Sequence, residues 1–276
     1  MNRLQGKVAI ITGGNAGIGE AIAKLFADEG AHVVVTGRRK EELDRVVKGI
    51  GVNGGRALAV VGSVTDEAHV QDVVAQTTRT FGKVHILVNN AGIGDFGKRL
   101  HETDDATWAK VLDINLTGVF RMTRAAIPEL IKAGGGSIVN ISTVASLIGI
   151  RGLSAYAASK GGLDALTRSV AVDYGQDNIR CNAVNPGLVD TPMAAPLMAD
   201  PASLEPIMAQ YAIRRPGKPE EYGFKPPAGL PYCCSPAPWR SPTSTRSRAR
   251  SLRVRCVRER RRCRRSRSAP ALRRRR

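Results

Sequence analysis

Apolar residues in this chain fall in short, nearly unbroken runs, separated by longer stretches where they recur every three or four positions. The runs at 7–12, 31–36, 56–61, 84–89, 136–142 and 179–184 predict strands buried on both faces. The stretches at 17–29, 41–50, 67–81, 104–132 and 156–174 have helical length and period. Strands alternating with helices predict an α/β fold, a Rossmann-like doubly wound parallel sheet with helices on both faces. The pattern covers residues 1–221 as a single domain and shows no further internal repeat.

After residue 221 the pattern stops. Residues 221–276 hold 18 of the 42 basic residues and 2 of the 24 acidic ones, in an Arg/Ser/Pro-rich run. The net charge of +18 therefore belongs mostly to the tail, and the first 220 residues carry about +2. The segment 222–276 is predicted to be disordered. Its composition is what GC-rich codons give when read out of frame, so a frameshift is one origin for it. A basic arm of this kind binds polyanions non-specifically and salt-sensitively; it predicts no specific nucleic-acid partner.

No apolar run is long enough for a membrane helix, and the N-terminus lacks a signal peptide's apolar core. Cys181 is the body's one cysteine. These features predict a cytoplasmic protein without a membrane partner. His32 and His85 begin strands and should be satisfied locally, whereas His69 and His101 read as surface residues. None has ligand spacing, so no catalytic metal is expected. Trp108 shares helical intervals with Val111, Leu112, Val119 and Met122 and reads as packing.

Two stretches carry candidate chemistry. The first strand runs into Thr12-Gly13-Gly14-Asn15-Ala16-Gly17-Ile18-Gly19 and then a helix. Glycines there let the backbone approach a pyrophosphate seated on the helix N-terminus. Tyr156 and Lys160 lie four apart and so share a helix face. An ammonium close to a phenol is expected to lower its proton affinity and suit it to general acid/base work. Ser142, ending the fifth strand, would present its hydroxyl to a developing oxyanion.

These motifs, together with Asn89-Asn90-Ala91-Gly92 and Asn185-Pro186-Gly187 followed by Thr191, resemble the short-chain dehydrogenase/reductase family over residues 4–221. The resemblance implies that Tyr156 exchanges a proton with a carbonyl or alcohol oxygen, that Lys160 assists it and binds the nicotinamide ribose, and that Ser142 holds the substrate oxygen. Asn115 matches the family's helix asparagine behind the lysine; spacing alone reads it as a polar residue at a helix bend. Thr12, Gly13, Asn15, Gly17, Ile18 and Gly19 would form the diphosphate loop. Ser63 and Val64 would face the adenine, with Ser63 where the family usually has aspartate. Asn89, Ala91 and Gly92 would close the fourth strand against the cofactor, and Pro186, Gly187, Val189 and Thr191 would meet the carboxamide.

Val35-Thr36-Gly37-Arg38-Arg39 offers no carboxylate at the end of the second strand, and the guanidiniums of Arg38 and Arg39 could grip a 2′-phosphate. NADP is therefore the expected cofactor, with NAD possible in principle. The expected activity is interconversion of a ketone and a secondary alcohol. The alternatives are reduction of 3-oxoacyl thioesters, or an inactive chain with a polyanion-binding tail. The substrate is a small molecule whose pocket would come from 94–99, 146–153 and the altered end. The family's last strand is missing or replaced, which leaves the sixth strand as an edge and makes the family's dimer or tetramer doubtful for this chain.

Overall fold

The computed structural model describes residues 2–209 and 211–222. Six strands form one parallel sheet: β1 (Val8–Thr12), β2 (His32–Gly37), β3 (Arg56–Val61), β4 (Ile86–Asn89), β5 (Gly136–Ile141) and β6 (Ile179–Val184). Their order is β3-β2-β1-β4-β5-β6. Helices α1 (Gly17–Asp28), α2 (Lys40–Val52), α3 (Glu67–Phe81), α4 (Asp105–Leu112), α5 (Gly118–Lys132) and α6 (Ser154–Asp173) connect them.

The unbroken apolar runs follow from two cores. Ala9 and Ile11 of β1 point to the face covered by α1 and α2, where Ile22, Phe26 and Leu43 pack. Ile10 points to the other face, against Val70 and Val73 of α3 and Met122 and Leu130 of α5. Successive side chains on a strand alternate faces, so a strand buried on both must be apolar throughout. Truncating Leu87 or Leu130, both fully buried, would cost about 2–5 kcal/mol.

The predicted helix at 104–132 is interrupted. Residues Asp113–Thr117 form a π-helical turn between α4 and α5, and this turn carries Asn115. Trp108 corrects a packing expectation: it is 38% exposed, while Val111, Val119 and Met122 are buried. His69 corrects another. It is buried, and its Nε2 lies 2.8 Å from the Thr36 hydroxyl. His69, Val73 and Thr77 are buried at four-residue spacing, so the histidine belongs to the inner stripe of α3.

Beyond β6 the chain leaves the sheet through two helices with no strong sequence signal, α7 (Ala195–Met198) and α8 (Pro201–Met208). It returns at Gly217, whose N–H donates to the Leu188 carbonyl at 2.9 Å and whose carbonyl accepts from Asp190 N–H at 2.8 Å. A short 3-10 turn (Pro219–Tyr222) follows, packed on α1. Among the described residues β6 pairs with β5 alone. The tail expectation falls on residues outside those described.

Candidate active site

Strand order reverses between β1 and β4, and the loops leaving these two strands open a crevice. Open α/β sheets bind ligands at such a switch point. A cavity of about 1590 Å³ lies there, long enough to run from the glycine loop past β5 and β6.

At one end, Gly13 and Gly17 have φ of +63° and +55°, which favour glycine. A Cβ on Gly19 would lie 2.3 Å from the Gly13 carbonyl, so backbone fills the place of a side chain. The residue that fastens this loop is Asn90. Its amide donates to the carbonyls of Thr12 (3.0 Å) and Gly13 (3.1 Å), while the Thr12 hydroxyl accepts from the N–H groups of Asn90 and Ala91. Asn89, the sequence candidate, faces the core instead. Its amide donates to Thr123 (3.1 Å) and Asn140 (2.8 Å), and it is buried away from the cavity. Adjacent residues at a strand end point to opposite faces, and Asn90 has the cavity face.

Gly13, Asn15, Gly17, Ile18, Ala91 and Gly92 line the cavity, as do Arg38, Ser63 and Val64; Thr12 and Gly19 support it from behind. Arg38 has no carboxylate partner among the described residues. Arg39 is taken up by Asn15: with the amide oxygen turned to accept, the guanidinium Nε lies 3.0 Å from it. Ser63 bonds the neighbouring Thr65 hydroxyl at 2.8 Å. The glycine cradle, the helix N-terminus and a cationic end without a carboxylate fit a dinucleotide.

At the other end, Tyr156 and Lys160 share a face of α6, with the ammonium 5.8 Å from the ring centroid. Lys160 is buried, and its Nζ donates to the Ile141 carbonyl at 2.7 Å. Burial pushes it down to about 8, against the pull of Asp164 one turn further on. Burial also raises the Tyr156 phenol above its ordinary value, opposed by a hydrogen bond from the Thr143 side chain. Desolvation therefore opposes the lowering expected from the Tyr-Lys spacing, and the ammonium is directed at a backbone carbonyl.

Ser142 lines the cavity, unlike Asn89, but its hydroxyl is engaged inside the protein. Its hydroxyl donates to the Lys160 carbonyl at 3.4 Å and is buried. The hydroxyl at the phenol belongs to Thr143. Thr143 is held from behind: Asn185 Nδ2 donates to the Thr143 carbonyl (3.0 Å), to Ser146 Oγ (2.9 Å) and to Asp164 Oδ2 (3.1 Å).

Asn115 is fully buried behind Lys160. It accepts from Ile93 N–H, donates to Ile93 O (both 2.8 Å), and reaches Ser159 Oγ at 3.1 Å. Asp95 carries no sequence signal, yet its carboxylate accepts from the N–H groups of Ala155 (2.8 Å) and Tyr156 (3.1 Å). It caps α6 from another loop, where α6's own N-cap, Leu153, offers no side-chain acceptor. Pro186, Gly187, Val189 and Thr191 line the wall between the two ends. Thr191 also touches the glycine loop: its methyl would lie 3.1 Å from a Cβ on Gly17.

A family model described as short chain dehydrogenase matches residues 7–202. A 3-oxoacyl-[acyl-carrier-protein] reductase of Thermotoga maritima is 41% identical over 221 residues, 79% of this chain and 88% of that one. A cis-4-hydroxycyclohexanecarboxylate dehydrogenase of Sinomonas cyclohexanicum is 42% identical over 215 residues, 78% of this chain and 85% of that one. A solved structure from Beutenbergia cavernae, described as an NAD(P) dependent gluconate 5-dehydrogenase with bound NADP at low occupancy, superposes with a TM-score of 0.76 at 35% identity. That likeness covers 80% of this chain and 88% of the other.

Proposed function

Because the chain belongs to the short-chain dehydrogenase family and is an oxidoreductase acting on CH–OH groups, we propose that it interconverts a ketone and a secondary alcohol with Tyr156 as general acid and base. The reading rests on one convergence: the Tyr156 phenol, the Thr143 hydroxyl and the Lys160 ammonium meet on a single wall of the nucleotide cavity.

The phenol gives its proton to a carbonyl oxygen in reduction and regains it from the alcohol in oxidation. Burial keeps it protonated at neutral pH, the state reduction requires. Thr143 donates a hydrogen bond to the same substrate oxygen and so replaces Ser142 in that role. Lys160 stabilises the phenolate left behind, and Asn115 fixes the Ile93 backbone beside it. A bound nicotinamide carries the hydride. Gly13, Asn15, Gly17 and Ile18 hold the dinucleotide, with Ser63, Val64 and Ala91 along its length and Pro186, Gly187, Val189 and Thr191 near the reacting end.

The family uses NAD(P). Arg38, without a carboxylate partner at the end of β2, favours NADP. Reduction of 3-oxoacyl thioesters is a second reading, favoured by the Thermotoga relative. Tyr156→Phe is expected to lower ketone reduction by about 10²–10⁴-fold while NADPH binding, followed by nucleotide fluorescence, stays within a few-fold. Undiminished turnover in that variant would put the proton transfer elsewhere.

A further inference from the structure

The substrate end of the cavity differs in character from the nucleotide end. Its walls are apolar: Phe96, Ile148, Ile150 and Met193 line it and remain 39–57% exposed. Two loops build most of it, one leaving β4 and one leading into α6, and the stretch after β6 adds Met193. A backbone bond from Gly97 N–H to the Gly152 carbonyl (3.1 Å) and a bridge between Lys98 and Leu153 join them. Each loop adds one guanidinium to the lining, Arg99 and Arg151.

Among the described residues, five arginines outside this end of the cavity are paired, whereas others, Arg38 among them, are not. Arg3, Arg45, Arg121, Arg124 and Arg215 each lie 2.6 to 2.8 Å from a carboxylate. Arg99 and Arg151 have no such partner among the described residues. Among the described residues Glu102 is the one acidic residue lining the cavity, and its carboxylate already accepts from the backbone N–H of Arg99 at 2.7 Å. The Arg99 loop therefore brings its own negative charge, and the Arg151 loop does not.

Resting on the oxidoreductase reading above, we propose that the substrate is a secondary alcohol, or its ketone, on an apolar body that also bears a carboxylate, and that Arg151 reads that carboxylate. The apolar walls take the body through contact area. The guanidinium takes the acid through paired, charge-assisted hydrogen bonds. Arg151 lies five residues before Tyr156, so the loop that binds the acid runs directly into the helix that holds the phenol.

The test compares cis-4-hydroxycyclohexanecarboxylate with cyclohexanol, the same ring without the acid, using full-length protein and each oxidised nucleotide. The expected ratio of kcat/KM, acid over neutral, is about 10–100, falling to near one in Arg151→Gln. Calorimetric binding of cyclohexanecarboxylate, which lacks the reacting hydroxyl, should weaken by a similar factor in the variant. A wild-type ratio near one, or a ratio kept in Arg151→Gln, overturns the proposal. Arg151-dependent binding of the acid without turnover of any ring alcohol would leave Arg151's role standing and sink the dehydrogenase reading. Neither binding nor turnover would remove the proposal altogether.

Discussion

Ser142 and Thr143 are adjacent hydroxyls on the cavity wall with different employment: one donates to the Lys160 carbonyl and the other bonds the phenol. Asn89 and Asn90 divide in the same manner at the end of the neighbouring strand. In both pairs the two neighbours divide between core and cavity bonds where a strand becomes a loop. The residue types were legible there, but the alternation that decides which one faces the ligand is set by the pairing of β4 with β5 and of β5 with β6. Thr143→Ala is expected to lower kcat by about 10²–10³-fold, with Thr143→Ser recovering most of it. Ser142→Ala should stay within several-fold. Steady-state reduction of one ketone by all three variants checks this, and equal losses in Ser142→Ala and Thr143→Ala would contradict it.

Periodicity located the elements well: each predicted strand and helix of the body is present, with ends shifted by one or two residues. What periodicity could not supply is the contact between elements. The π turn at Asp113–Thr117 leaves the apolar spacing of the helix nearly intact, yet it delivers Asn115 to Ile93 and Ser159. The cap on α6 comes from Asp95, some sixty residues earlier in the chain, so no local capping signal exists to be read. Asp95→Ala should therefore act on the start of one helix and on the substrate loop together. The expected cost is about 1–2 kcal/mol of stability with a clear loss of kcat, because Tyr156's own N–H loses its acceptor. Denaturant unfolding and kinetics on the same variant measure both; lost stability with unchanged kcat would mean the cap does not position the phenol.

Over the molecule as a whole, burial holds His32, His69 and His85 below the ordinary imidazole value. Such groups are neutral when folded and take up protons in the unfolded chain near pH ~6.5. Stability should thus be independent of these residues above that pH and fall as the pH drops through it toward their lowered folded values. Asp66 and Asp72 moderate the effect at His69 by favouring its charged form. Thermal unfolding between pH 7.5 and 5.5 should show a falling Tm, at about 2–4 °C for each kcal/mol lost. His69→Gln should flatten the slope, since the amide can still bond the Thr36 hydroxyl; a slope unchanged in that variant would remove His69 from the account.

The return of the chain at Gly217 has a consequence for how this scaffold can be re-purposed. The stretch between Asp190 and Gly217 is fastened at its two ends by backbone hydrogen bonds, and within it the Tyr211 hydroxyl accepts from Leu188 N–H at 2.6 Å. A transplant of different length or chemistry between these ends meets the same socket, provided it keeps Thr191 against the glycine loop and a hydroxyl in the place of Tyr211. Preference for the molecule being oxidised or reduced can drift while proton transfer stays fixed on α6.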